Sequence, residues 1–519
     1  MRRRIGFAAG LIIFLAILLL PPPDSFLGVA REVIAKEQAA VAPHELAASM
    51  RGVLALMSLM VVWWFTEAVP MAATALLPAA LLPVLGLFGL QRGARVDFTL
   101  ASVSASYASP VIFLFLGGFL LAAAMQKWHL DRRLTLWLLS RGRIAEGPRT
   151  VLLGVMAVTA FLSMWISNTA TAAMMLPLGT GILASFGCRP GQSHFGTAMM
   201  LGIAWSASIG GMGTLIGSPP NGIAAGIVNA AARAGERIRP IGFLDWMSFA
   251  VPYVLLLLPL AWAILVRLYP PEEVRSAGAR ERLRSELSAM GPLSGAEKRT
   301  IGVFLLAAAL WLSTPFRENI LPPAAARALA SLDEYWIGIF AGVLLFLVPV
   351  SFREGRFLLE WSDAKSVEWG VLILFGGGIA LSEAMFKSGL AVWVASSFVS
   401  LFGSPSMPLM VFVIVALNGL LTEITSNTAV TTMMVPVVIS VAERVRLDPV
   451  GLAIAAALAA SLAFILPVAT PPNALVYATG YVRLPQMVRA GIVVEVVGWF
   501  LTTAVLMGIA GWLLGIVRV

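Results

Sequence analysis

The chain has 519 residues, 59% of them hydrophobic and 12% charged, with a mean hydropathy of +0.89. Soluble domains carry about 25% charged residues, so these values exclude a soluble globular protein and indicate an integral membrane protein. One cysteine (Cys188) excludes an internal disulfide, and three scattered histidines (His44, His129, His194) leave no zinc constellation. The net charge of +9 lies in short loops between apolar spans, so it reads as membrane orientation and not as nucleic-acid binding.

Apolar runs recur from end to end, which predicts an all-α polytopic membrane protein and not a barrel. Helices are predicted over 5–21, 51–65, 68–90, 108–128, 195–232, 245–268, 299–314, 335–350, 367–387, 450–481 and 488–516. The first begins "MRRRIGFAAG"; it has a basic start but no small-residue cleavage site, so it reads as a retained helix with Arg2, Arg3 and Arg4 in the cytoplasm. Segments 150–187 and 407–442 each carry Ser-Asn-Thr at their centre. Two arms of about 17 residues are too short to cross comfortably, so each segment is expected to be a re-entrant hairpin ending near the midplane.

Eleven crossings put the basic clusters Arg132/Arg133/Arg141/Arg143/Arg149 and Arg275/Arg280/Arg282/Arg284/Lys298/Arg299 inside and the C-terminus outside. The segment 129–147 alternates basic and apolar residues and is expected along the cytoplasmic interface.

The chain repeats itself. "SNTATAAMMLP" from Ser167 returns as "SNTAVTTMMVP" from Ser426, an offset of 259 that also relates Gly117 and Gly118 to Gly376 and Gly377. "IGSPPNGIA" (216–224) returns as "VATPPNALV" (468–476), with Pro219, Pro220 and Asn221 mapping to Pro471, Pro472 and Asn473. Five spans and one hairpin per half turn the second copy upside down, giving an inverted repeat. In secondary transporters such repeats place the substrate near the midplane.

The chemistry of the landmarks is specific. Pro219 and Pro220, and again Pro471 and Pro472, interrupt the helical ladder, while Gly213 and Gly217 permit unusual backbone angles. Free N–H groups at helix starts suit anions, and carbonyls at unwound ends suit a cation. Ser, Asn and Thr add neutral donors and acceptors. No Arg or Lys stands at any of these landmarks, so a carboxylate-bearing anion would need co-bound cations to neutralise it.

These residues resemble the divalent anion:sodium symporter family of sodium-coupled dicarboxylate, citrate and sulfate carriers. The paired Ser-Asn-Thr motifs carry the resemblance, with "ASLAFILPVATPPNALVYATG" (460–480) and "WWFTEAVPMAATALLPAALLPVLG" (63–86), and it extends from about residue 50 to the C-terminus. It implies an elevator-type homodimer in a bacterial inner membrane. Its scaffold would comprise residues 1–147 and 299–404, its transport domain 148–270 and 405–519, with a cytoplasmic basic loop at 271–298. It implies at least two sodium sites, one at Ser163, Ser167, Asn168 and Gly217 and one at Thr422, Ser426, Asn427 and Ala469. Substrate carboxylates would meet Asn168, Thr169 and Ser218 on one side, and Asn427, Thr428, Thr470 and Pro471 on the other. Two intact motifs favour a dicarboxylate over sulfate.

Other polar residues have blander readings. Glu423 reads first as a carboxylate satisfied by nearby backbone or hydroxyl groups, and second as an aid to a cation or proton. Lys127 and Lys387 are expected to snorkel, Glu67 to anchor a helix end, and Trp63, Trp64, Trp128 and Trp369 to sit at the interface. The expectation is a sodium-coupled importer of C4-dicarboxylates such as succinate, malate or fumarate. The alternatives are a sodium-independent exchanger and a proton-coupled or sulfate carrier of the same fold. An intramembrane enzyme lacks a nucleophile or metal cluster, and a sensor that binds without transporting has no signalling domain to support it.

Overall fold

The computed structural model describes residues 2–140, 147–234, 238–272, 279–316, 322, 324, 332–403 and 405–514. Arg141, Arg143 and Arg275 of the expected basic clusters, and the side chains of Arg280 and Arg282, lie outside them. The fold is helical, as its composition requires. The strands among the described residues form two short antiparallel ribbons, Phe88–Gln91 with Ala94–Asp97 and Pro349–Ser351 with Arg356–Phe357.

Helix starts follow the prolines. Pro110, Pro148, Pro449 and Pro471 each stand in the opening turn of a helix, where a missing N–H costs nothing. The segment 68–90 is not the single helix expected. It divides into Met71–Thr74 and Leu77–Val84, followed by the first ribbon. Pro70, Pro78 and Pro83 interrupt the ladder, and Gly86 turns the chain with φ +60°. Among the described residues, Asp24–Glu37, Leu130–Leu139, Ala279–Ala289 and Leu390–Phe402 are helices outside the expected set.

Among the described residues, five helices are each long and apolar enough to cross a bilayer. They are Pro43–Thr66, Leu100–Lys127, Phe243–Leu268, Trp369–Ser388 and Leu484–Leu514, and two bent pairs would raise the number to seven. Each expected hairpin segment contains two helices that meet at its Ser-Asn-Thr motif. The first consists of Pro148–Ser163 and Asn168–Ser185, the second of Met407–Ile424 and Asn427–Arg444.

The repeated glycines serve packing. A Cβ on Gly117 would collide with the Gly338 carbonyl, and one on Gly377 with the Ala75 carbonyl. These positions let Pro110–Lys127 lie close against Glu334–Leu347, and Trp369–Ser388 against the segment before Leu77. Trp64 is fully buried and Trp63 stacks on Phe7 at 5.2 Å, so this pair packs within the protein and is not displayed to headgroups. Lys127 is held by Asp363 at 2.6 Å and Lys387 by Glu383 at 3.1 Å. Glu67 ends its helix in the left-handed region and faces Arg3 at 3.9 Å.

The basic segment at 279–298 is docked. Arg133 on the arm Leu130–Leu139 pairs with Glu297 and donates to the carbonyls of Met290 and Gly291.

Candidate functional site

Each half contains a helix broken at its proline pair. The first runs His194–Gly211, unwinds, and resumes at Pro219–Ala234; the second runs Pro449–Ala460, unwinds over ten residues, and resumes at Pro471–Ala478. One asparagine holds each break in shape. Asn221 Nδ2 donates to the carbonyls of Gly211 (2.9 Å) and Thr214 (2.7 Å). Asn473 Nδ2 donates to Ala463 (3.0 Å) and Leu466 (3.1 Å). These carbonyls lost their helical partners when the ladder stopped, and the amide supplies what the backbone cannot.

The hairpin tips lie against the broken helices. Ser163 Oγ donates to the Ala207 carbonyl at 2.6 Å and lies 2.8 Å from the Asn168 amide. With Nδ2 turned inward, Asn168 also donates to Ala207 O (3.1 Å) and Gly217 O (3.2 Å). Turned end for end, the same amide presents Oδ1 to Ser163 Oγ and both carbonyls. That groups four oxygens with only the Ser163 hydroxyl proton among them, and a cation would relieve the remaining repulsion. Gly217 is required for this approach, because a Cβ there would press on the carbonyls of Ser163, Met164 and Gly211.

The second half repeats the pattern. Thr422 Oγ1 lies 2.8 Å from the Ala460 carbonyl and 2.6 Å from Asn427 Oδ1. Ser163, Asn168 and Ala207 thus correspond to Thr422, Asn427 and Ala460. Ala207 and Ala460 contribute only carbonyls, so their residue types gave no signal in the sequence.

The remaining expected residues fall around these clusters. Ser167 Oγ accepts from Ala170 N at 3.4 Å and starts the second arm; Ser426 starts its own arm without such a bond. Ser218 and Thr470 are buried where the broken helices resume, and Thr470 Oγ1 caps Asn473 N at 3.3 Å. Ala469 is buried beside it, while Pro471 is exposed. Thr169 and Thr428, each the second residue of its arm, are half-buried.

The halves interlock. The arm Asn168–Ser185 packs against Pro471–Ala478, and the arm Asn427–Arg444 packs against Pro219–Ala234. Each hairpin therefore touches the broken helix of both halves. Two carboxylates support this region. Glu423, buried, accepts from the backbone N–H of Ile465 and Leu466, both at 2.8 Å, which agrees with its structural reading. Glu495 is also buried, beside Gly419 of the same hairpin, and was not among the expected residues.

This is the architecture of a polytopic α-helical carrier, and solved transporters share it. The Alcanivorax borkumensis YdaH transporter aligns over 87% of this chain and 97% of its own, with TM-score 0.56 and 16% identity. Neisseria gonorrhoeae MtrF aligns over 94% and 97%, with TM-score 0.54 and 13% identity. Residues 33–517 match the family described as the sodium:sulfate symporter transmembrane region, and the chain belongs to that family. It is a membrane transporter and not an enzyme. The sodium-dependent dicarboxylate transporter SdcS of Staphylococcus saprophyticus is 38% identical over 472 residues, covering 88% of this chain and 86% of the relative. Its counterpart in Staphylococcus aureus is 36% identical over 473 residues, covering 89% and 86%.

Proposed function

We propose that the chain is a sodium-coupled importer of C4-dicarboxylates such as succinate, malate and fumarate. The observation that carries this reading is the matched pair of oxygen clusters, Ser163/Asn168/Ala207/Gly217 and Thr422/Asn427/Ala460, which contain no charged side chain. One sodium ion at each cluster supplies the positive charge that a dicarboxylate needs. Ser167 and Ser426 complete the coordination, together with the backbone at Ala469. Asn168, Thr169 and Ser218 then meet one carboxylate, and Asn427, Thr428, Thr470 and Pro471 the other. The names of the staphylococcal relatives support sodium and a dicarboxylate as the solutes.

In this reading the two hairpins and two broken helices form a mobile unit, residues 148–270 and 405–519. It moves as an elevator against a scaffold of residues 1–147 and 299–404 that dimerises in a bacterial inner membrane. The N-terminus is cytoplasmic and the C-terminus external.

Radiolabelled succinate uptake into proteoliposomes, with an inward sodium gradient or with potassium in its place, tests the coupling. Uptake is expected only with sodium. Equal uptake in potassium would identify an exchanger or a proton-coupled carrier. Competition by unlabelled succinate, citrate and sulfate tests the anion, and competition by sulfate alone would overturn the dicarboxylate assignment.

A further inference from the structure

The two hairpins are tied to their broken helices by opposite chemistry. In the first half the broken helix supplies the side chain. Thr214 Oγ1, fully buried, donates to the Met164 carbonyl of the hairpin at 2.5 Å and accepts from Gly217 N at 3.1 Å. In the second half the hairpin supplies the side chain, the Glu423 carboxylate, and the broken helix supplies the N–H groups of Ile465 and Leu466.

The repeat makes the exchange explicit. The offset of 259 maps Met164 onto Glu423, and the offset of 252 maps Thr214 onto Leu466. Each half lacks the polar side chain that the other uses. Both ties close the same gap, between the last turn of the first hairpin arm and the unwound backbone that follows it in space.

We infer that Thr214 and Glu423 are positioning residues, each holding the backbone of one half-site in register with its hairpin tip. Thr214 bonds to Gly217, whose carbonyl belongs to the first oxygen cluster. Glu423 fixes the chain three residues before Ala469, and the residue before it is Thr422 of the second cluster. Breaking either tie frees buried N–H groups and lets the carbonyls around the candidate ion drift. Neither side chain belongs to an oxygen cluster, although Glu423 also hydrogen-bonds with the Glu495 side chain. This inference rests on the sodium-dicarboxylate reading for what is positioned, but the ties themselves do not depend on it.

The test uses full-length protein in proteoliposomes and, separately, backbone amide exchange on purified protein. Thr214→Val removes both bonds at constant size, and Thr214→Ser restores them. Glu423→Gln keeps one acceptor oxygen and turns an NH2 toward the second N–H group. Thr214→Val and Glu423→Gln are each expected to raise the succinate KM about tenfold or more, because each leaves a buried donor or acceptor without its partner. Turnover per folded molecule should stay within about threefold, since uniform binding is what is lost. Thr214→Ser should return KM to the wild-type value. Amide exchange should accelerate at Gly217 in Thr214→Val, and at Ile465 and Leu466 in Glu423→Gln.

A merely structural role would lower the amount of folded protein and leave KM unmoved, and that result would overturn the inference. So would unchanged exchange at these three amides. If the wild type itself shows no sodium-driven uptake, the function assignment fails instead, and the exchange measurement still decides whether the ties exist.

Discussion

Asn221 and Asn473, 252 positions apart, each donate one side-chain amide to the same pair of orphaned carbonyls in their own half: Gly211 and Thr214 in the first, Ala463 and Leu466 in the second. The proline pair ends the helical ladder and the asparagine closes the wound it leaves. Replacing either by Leu strands two buried carbonyls and costs about 1–3 kcal/mol. Asn→Asp is expected to be worse, because it sets a carboxylate against carbonyl oxygens. Thermal unfolding of the purified variants measures this, and an Asn221→Leu protein as stable as the wild type would show that the clamp is dispensable.

The two oxygen clusters lead to a sodium prediction. Ser163→Ala and Thr422→Val each remove one hydroxyl from its cluster while leaving the Asn168 or Asn427 amide in place. Each is expected to raise the sodium concentration for half-maximal uptake several-fold, by about 1 kcal/mol of lost ion binding. Thr422→Ser keeps the hydroxyl and should behave as wild type. Sodium titration of succinate uptake reads the effect. An unchanged sodium dependence in both variants would place the ions elsewhere.

Much of this site was legible because its signals are residue-type signals. Ser-Asn-Thr recurs at a fixed offset, and Pro-Pro-Asn marks each break, so Ser163, Asn168, Gly217, Thr422 and Asn427 could be named from the repeat and the resemblance together. Ala207 and Ala460 could not, since a carbonyl belongs to every residue and only the fold selects which one turns inward. Glu495 escaped for another reason: its partner surface, the Gly419 face of the second hairpin, is set by a helix crossing and not by sequence spacing. The segment 68–90 is apolar enough to suggest one span, yet Pro70, Pro78 and Pro83 divide it. Proline at Pro78 and Pro83 decides backbone hydrogen bonding whatever the hydropathy.

Acid should loosen one helix start. Glu272 accepts from the backbone N–H of His194 (2.6 Å) and Phe195 (3.1 Å) and from Ser193 Oγ (3.2 Å), capping the helix that leads to the first break. Burial pushes its carboxyl upward, but its own backbone N–H, those of Phe195 and His194, and the Ser193 hydroxyl outweigh burial and hold it below the ordinary carboxylate value. A depressed folded value means that the ionised form stabilises the fold. The contribution is complete above the unfolded carboxylate value and disappears as pH falls through the folded one. Melting temperature is therefore expected to fall with acidification more steeply in the wild type than in Glu272→Gln. Parallel profiles would exclude the cap as a source of the dependence.

The glycines at 117 and 377 separate packing from binding. They are the first and the second glycine of the two repeated pairs, each lies against a carbonyl of a neighbouring element, Gly338 and Ala75, and neither belongs to an oxygen cluster. A methyl group at either position meets backbone, which cannot rotate away as a side chain would, so the helices must separate. Gly117→Ala and Gly377→Ala are each expected to cost about 1–3 kcal/mol of stability, the usual range for overpacking. Because the strain lies between helices outside the hairpins and broken helices, the surviving folded protein should retain its sodium dependence and succinate KM. Melting temperature and uptake kinetics on the same preparations distinguish the outcomes. A shifted sodium dependence at normal stability would mean that these close contacts are part of the transport movement and not a fixed support.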